Sequence, residues 1–255
     1  MDSVRSVSIV FPAFNEENNL APVILAAQSY LSQQAFDYRL IIVNDGSRDR
    51  TGVIAAQLAR QNPAHLIVVT HESNRGYGAA VRSGFAAACQ TGCDWVVLMD
   101  ADGQFDIREL DLLLDVAGDR GIDLVAGKRV KRADSTLRRA NAWLWSNTSR
   151  LLLGIRVHDV DCAFKLINRR VLETISLHGE AAVISPEILA KSARAGFTIA
   201  EVPVSHYPRH AGEQSGANLT VIVRSLVGLV QLRMQLIGGE RHPGHKPQTG
   251  HVVSR

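Results

Sequence analysis

Short apolar runs alternate with amphipathic stretches of helical length through the first half of the chain. Ser6–Phe11, Arg39–Val43, His65–Thr70, Trp95–Met99 and Asp123–Ala126 are rich in Val, Ile and Leu and read as buried strands. Between them Glu17–Gln33, Asp49–Ala59, Tyr77–Gln90 and Ile107–Ala117 read as helices. Strand–helix–strand repetition calls for right-handed crossovers. It therefore predicts an α/β fold, Rossmann-like, with a mainly parallel sheet covered by helices on both faces. Ligands of such sheets collect at the carboxyl ends of the strands. The polar strand exits FPAFNEE, NDGSRDRT, HESNRGYG, DADGQ and GKR are thus where chemistry is sought.

The pattern changes after Lys128. KRVKRADSTLRR (128–139) carries six cations and one anion, while the rest of the chain sums to −2. A helix-like ANAWLWSNTSRLLLG follows, then DVDCAFKLINRR, a helix near Pro186–Ala195 and a strand in IAEVPVSH. Residues 217–238 are apolar enough to raise the question of a membrane span. Arg224 and Arg233 leave only eight uncharged residues between them, far short of the ~20 a span requires. Thr220, Arg224, Gln231 and Gln235 share one helical face, predicting an amphipathic helix that packs on the domain or lies on a bilayer surface. The predicted division is an α/β domain over 1–216, an amphipathic helical extension over 217–238 and a disordered tail over 239–255. His242, His245 and His251 in that tail read as solvated.

Composition narrows the class. The chain has 255 residues, 46% hydrophobic and 21% charged, enough for a real core and unlike a disordered sequence. A net charge of +3 argues against a dedicated nucleic-acid binder. Cys89, Cys93 and Cys162 lack metal-ligand spacing and read as buried thiols of a reducing compartment. Met1–Arg5 runs straight into a strand without a secretory pattern, so the expected location is cytoplasmic.

The most informative element is DWVVLMDADGQ (94–104). In extended chain Asp100 and Asp102 project the same way, with Gln104 close behind Gly103. Two carboxylates and an amide oxygen make a hard-oxygen site for Mg²⁺ or Mn²⁺, with positions open to phosphate oxygens. PAFNEE ends the first strand and NDGS the second. Asp45 can accept from a nucleobase N–H, and Glu16 can reach base or ribose. Each exit alone also reads as a turn with a helix cap; three acidic exits on one edge favour a site.

PAFNEE, VNDGSRDRTG, NRGYGAA, MDADGQ, GKR, DVDCAFKLINRR, EVPVSHYPR and GEQSG, in this order across about residues 7–216, resemble the family 2 glycosyltransferases of GT-A fold, especially the polyprenyl-phosphate sugar transferases. The resemblance implies that Pro12, Phe14, Glu16 and Asp45 bind the nucleotide of a nucleotide-sugar donor, together with Asp100, Ala101 and Asp102. It implies that Asp100, Asp102 and Gln104 hold the divalent cation or the diphosphate, and that Arg129 serves phosphate binding. His206 to Arg209, with Gly212 and Ser215, resemble a loop that closes over the donor. Arg138, Arg139 and Arg209 are further candidates for phosphate, since guanidinium pairs with it bidentately.

On the acceptor side, Asp159 and Asp161 stand where relatives place acceptor residues. A sugar hydroxyl needs a general base, a role for Asp161, which otherwise reads as positioning Lys165; a polyprenyl phosphate is already ionised and needs none. The basic stretch suits a phosphate, and Trp143 and Trp145 suit a membrane interface or a core. The leading expectation is an inverting, metal-dependent transfer to polyprenyl phosphate by a peripheral protein at the cytosolic membrane face. Alternatives are transfer to a soluble hydroxyl acceptor and a non-catalytic nucleotide-sugar-binding adaptor. An NAD(P) oxidoreductase is disfavoured because Val81 stands where the third glycine after Gly76-Tyr77-Gly78 belongs.

Overall fold

The structure, a computed structural model, describes residues 4–130, 136–209, 219–238 and 253–254. Its sheet runs β1 (Ser6–Ala13), β2 (Asp37–Asn44), β3 (Leu66–Thr70), β4 (Trp95–Leu98), β5 (Leu124–Arg129), β6 (Lys165–Asn168), β7 (Ile199–Val204) and the short β8 (Val253–Ser254). The spatial order is β3-β2-β1-β4-β6-β5-β7-β8. Among the described strands β6 alone runs antiparallel, to both β4 and β5. The five strands read from the sequence are present within a few residues, and IAEVPVSH supplies β7. β6 lies within DVDCAFKLINRR, which the apolar pattern left unassigned.

Side chains alternate across the sheet, and each face has its own core. From β1, Val7, Ile9 and Phe11 point into one core with Leu20 and Ile24 of α1 (Leu20–Leu31) and Leu110 and Leu113 of α4 (Leu110–Arg120). α2 (Thr51–Gln61) adds Ala55 and Leu58 there. Val10, Ile41 and Leu98 point into the other, against Val81 and Phe85 of α3 (Tyr77–Gln90) and Ile184 and Ile188 of α7 (Ile184–Arg194). Each such side chain, wholly withdrawn from water, contributes ~1.5–3 kcal/mol. α5 (Thr136–Leu153) and α8 (Leu219–Gly238) pack against one another on this second face, and α6 (Arg169–Thr174) follows β6. The predicted extension at 217–238 is thus helical from Leu219; Leu229, Leu232 and Leu236 are buried, and residues 217–218 lie outside the described residues. Apart from residues 253–254, so does the predicted tail.

The chain departs from β1 toward β2 and β3 on one side and returns to β4 on the other. The crevice where the order reverses therefore opens above the carboxyl ends of β1 and β4, where PAFNEE and DADGQ sit.

Candidate active site

The first two strand exits build one another. Asn15 takes a left-handed conformation at φ 56°, which turns the chain out of β1 and delays α1 to Leu20. Its backbone N–H donates to Ser47 Oγ at 3.1 Å, and its Oδ1 accepts from the Arg48 N–H at 2.9 Å. The Glu16 N–H donates to Thr51 Oγ1 at 2.8 Å and the Glu17 N–H to Asp49 Oδ2 at 3.1 Å. Asp49 also accepts from the Thr51 N–H at 2.9 Å, at the start of α2. Burial works against its charge, but the bonds from Thr51 and Glu17 outweigh it and hold the carboxyl below its ordinary range. The Glu16 carboxylate accepts from Asn19 Nδ2 at 2.7 Å and pairs with Arg209.

Asp45 is buried and its carboxylate organises the third exit. Oδ1 accepts from the Arg75 N–H at 2.9 Å and faces His71 Nδ1 at 2.6 Å; Oδ2 accepts from the Gly76 N–H at 2.8 Å. Gly46, at φ +65°, lets this turn press on the Ser73–Asn74 backbone, where a Cβ would lie 2.3 Å from the Ser73 carbonyl carbon. Of the other predicted nucleotide residues, Pro12 is buried within β1 and Ala101 behind the β4 exit, while Phe14 is 41% exposed at the rim.

DADGQ differs from its expected geometry. β4 ends at Leu98, and residues 101–103 form a turn with Gly103 at φ 77°, so Asp100 and Asp102 are not consecutive same-face residues of an extended strand. The turn nonetheless keeps the charge of Asp102 within reach of Asp100. Burial, and then the charge of Asp102, push Asp100 up to about 7, against the opposing pull of Tyr77, Lys165 and Arg129. Tyr77 Oη donates to Asp100 Oδ1 at 2.9 Å, and its own phenol is held protonated by burial and by Asp100. Asp102 is raised by burial and, more weakly, by Glu16; the Gln104 N–H, at 3.0 Å, and Arg209 oppose this. Gln104 spends its side-chain N–H on the Tyr207 carbonyl at 3.0 Å, tying DADGQ to the segment after β7.

Arg129 and Asp159 form a bidentate pair, with both guanidinium contacts at 2.7 Å, and the Arg129 N–H donates to the same carboxylate at 3.1 Å. Glu201, buried in β7, fixes that loop by accepting the His158 and Asp159 N–H groups at 2.7 and 3.1 Å. Asp161 Oδ1 accepts from Trp145 Nε1 at 2.8 Å; burial raises its carboxyl despite that bond and the nearby Arg129 and Lys165. Lys165 is completely buried, its Nζ donating to Ser185 Oγ at 3.1 Å and to the carbonyls of Val160 and Cys162, one on each side of Asp161. Gly212 and Ser215 lie outside the described residues. Arg138 and Arg139 belong to α5 but not to the residues whose side chains are described.

Sequence reasoning missed Tyr77, His71 and Glu201 as supports of the site. Tyr77 and His71 flank the same NRG segment, which was the available signal; nothing in the spacing of Glu201 pointed to Asp159. Among the described residues no three His, Cys, Asp or Glu side chains are arranged to hold a metal ion. Two carboxylates and an amide oxygen are hard donors of the kind that a divalent cation takes.

The fold is shared with solved glycosyltransferases of GT-A type. Glucosyl-3-phosphoglycerate synthase from Mycobacterium tuberculosis, in complex with Mg²⁺ and UDP, superimposes with a TM-score of 0.69 at 21% identity, covering 90% of this chain and 80% of that one. Another structure of that enzyme holds Mn²⁺, UDP-glucose and phosphoglyceric acid, with a TM-score of 0.67 at 20% identity and the same coverage. Residues 8–176 match glycosyl transferase family 2, and the chain belongs to that family. It is 33% identical over 225 residues to the polyprenol monophosphomannose synthase of Mycolicibacterium smegmatis, covering 83% of this chain and 82% of the relative. It is 30% identical over 219 residues to the undecaprenyl-phosphate 4-deoxy-4-formamido-L-arabinose transferase of Pseudomonas fluorescens, covering 86% of this chain and 62% of that protein. The chain is a family 2 glycosyltransferase.

Proposed function

We propose that this enzyme transfers a sugar, with inversion, from a nucleotide-sugar donor to a polyprenyl phosphate at the cytosolic face of a membrane. The feature that carries the donor half is the pair of carboxylates, Asp100 and Asp102, at the reversal point of the sheet, within reach of the charges of Arg129 and Arg209. The acceptor half is supported by the name of the Mycolicibacterium relative.

Pro12, Phe14, Glu16 and Asp45 form the nucleotide side, with Ala101 behind the diphosphate. Asp100, Asp102 and Gln104 would hold Mg²⁺ or Mn²⁺, which when bound neutralises charge on the departing diphosphate. Arg209 adds a guanidinium that the diphosphate can take over from Glu16. Arg129, kept in orientation by Asp159, presents its charge on the acceptor side. A phosphate acceptor is already ionised near neutral pH, so Asp161 positions the acceptor loop through Trp145 and Lys165 and removes no proton. Residues 1–216 carry this chemistry, with 217–238 as an extension.

Among the described residues no helix is long and apolar enough to cross a membrane. Trp143, Leu144 and Leu151 of α5 and Leu226, Val227, Val230, Met234 and Ile237 of α8 are exposed. The five α8 residues fall within about 100° of helical arc, opposite its buried leucines, which supports a peripheral membrane face.

The test is a calorimetric screen of UDP- and GDP-sugars with and without Mn²⁺, using Asp102→Ala as control, followed by turnover with detergent-solubilised polyprenyl phosphate. Metal-dependent binding of one donor, lost in the variant, and transfer to the prenyl phosphate are expected. Donor binding with transfer only to a soluble hydroxyl, abolished by Asp161→Asn, would replace the acceptor reading. No donor binding by folded protein would overturn the whole.

A further inference from the structure

At the opposite end of the sheet from the crevice, a cavity of about 290 Å³ opens between the C-terminal ends of α5, α7 and α8. Its lining is largely apolar, with Val157, Phe197 and Leu236. Three arginines, Arg156, Arg194 and Arg233, contributed by three different segments, line it as well. All three are solvent-exposed, and Arg194 and Arg233 pair with no carboxylate among the described residues. An apolar lining that carries arginines from three segments is the complement of an amphiphilic anion: an ionised headgroup for the arginines and the first carbons of a chain for the apolar residues. The volume sits at the lower end of small-molecule pockets, roughly 300–1,000 Å³, too small for a whole lipid. The cavity also borders α8, whose outward side carries the apolar residues Val230, Met234 and Ile237.

We infer that this cavity is a second binding site, separate from the crevice, for the headgroup and proximal chain of an anionic phospholipid. In part this rests on the membrane-facing reading of α5 and α8. It assigns selectivity for negative lipid to Arg194 and Arg233, leaving the outward apolar residues to supply affinity for any bilayer. A basic side chain near an anionic surface is worth ~1 kcal/mol, about five-fold in partition.

The experiment uses the full chain with phosphatidylcholine vesicles, with and without phosphatidylglycerol, and thermal shift with soluble short-chain phosphatidylglycerol or inorganic phosphate. Arg194→Gln/Arg233→Gln and Ala193→Trp, which fills the cavity without changing charge, are compared with Arg60→Gln on the distant α2. The wild type and R60Q should bind phosphatidylglycerol vesicles alike. The double variant should bind about 25-fold more weakly, and A193W should lose the thermal shift with the short-chain lipid. Nucleotide-sugar binding, which monitors the folded crevice, should be unchanged in all of them. Equal weakening by R60Q, or full lipid response in the double variant, overturns the site. A shift of the same size with inorganic phosphate would make it an anion site and overturn the lipid. Failure to bind neutral vesicles refutes the membrane-facing reading of the helices. The short-chain lipid still tests the cavity in that case.

Discussion

Asp100 should destabilise the metal-free enzyme, and removing its charge should stabilise it. Its carboxyl moves from an ordinary value of 3.8 to about 7 on folding, through burial first and Asp102 second. An acid raised on folding binds more protons in the native state between those two values, so stability falls as pH rises through that window, and the penalty is complete above about 7. At 1.36 kcal/mol per unit the ceiling is ~4 kcal/mol. Partial solvent access and the response of Asp102 bring this to ~2 kcal/mol at pH 8 and below ~1 kcal/mol at pH 5. Asp100→Asn keeps an oxygen to accept from Tyr77 and removes only the charge. For a chain of this size ~2 kcal/mol is a rise of ~4–8 °C in Tm. Urea unfolding in EDTA at both pH values measures it, with donor turnover expected to be lost in the variant. A variant that is no more stable at pH 8, or that gains equally at pH 5, would refute the electrostatic account of the pair.

Arg129→Lys keeps the charge beside Asp159 but gives up the two-pronged contact, and should lower unfolding stability by ~1–3 kcal/mol, read as a shift in urea midpoint at constant m. Gly46→Ala places a Cβ against the Ser73 backbone at positive φ, and ~2–5 kcal/mol of lost stability with weakened nucleotide binding is expected by unfolding and calorimetry. The Cys162 thiol is pushed up to about 12, chiefly by burial, and Cys93 is buried. At pH 8 a thiol reagent should therefore reach at most Cys89 in native protein and all three cysteines after denaturation, as mass spectrometry would show.

The apolar runs located the strands because burial on both faces leaves little room for polar residues, as in Ile9–Phe11 and Leu40–Val43. β6 escaped because it begins at Lys165, and a lysine reads as solvent-facing. Here three oxygens satisfy its ammonium, so a charged residue occupies a core strand position. α1 starts three residues later than its hydrophobic period suggests, since Asn15 and Glu16 are committed to Ser47 and Thr51 before the helix begins. Such side-chain contacts with distant backbone leave no periodic trace. The DADG turn is a related case: its glycine marked a turn, but the strand's pull on the extended reading carried Asp100 and Asp102 too far.

Residue type at strand ends made the site's chemistry legible; its pairings were not. Arg209 meets Glu16 across 193 residues, and Arg129 meets Asp159 from a different loop, choices made by topology. The pairings change what the cations do. An arginine already matched to a carboxylate is oriented before a phosphate arrives, so less rotamer entropy is lost on binding, while separating the first partner costs part of the gain. For Arg209 the exchange is with Glu16, whose charge also bears on Asp102, so a diphosphate that draws the guanidinium away unmasks negative charge beside Asp100 and Asp102. Donor and cation binding should then be mutually reinforcing. Glu16→Gln should weaken that coupling, because an amide in place of the carboxylate adds no negative charge when Arg209 moves. Calorimetry of the donor at low and saturating Mn²⁺ measures the coupling, and an unchanged ratio of affinities in the variant would show that the exchange does not take place.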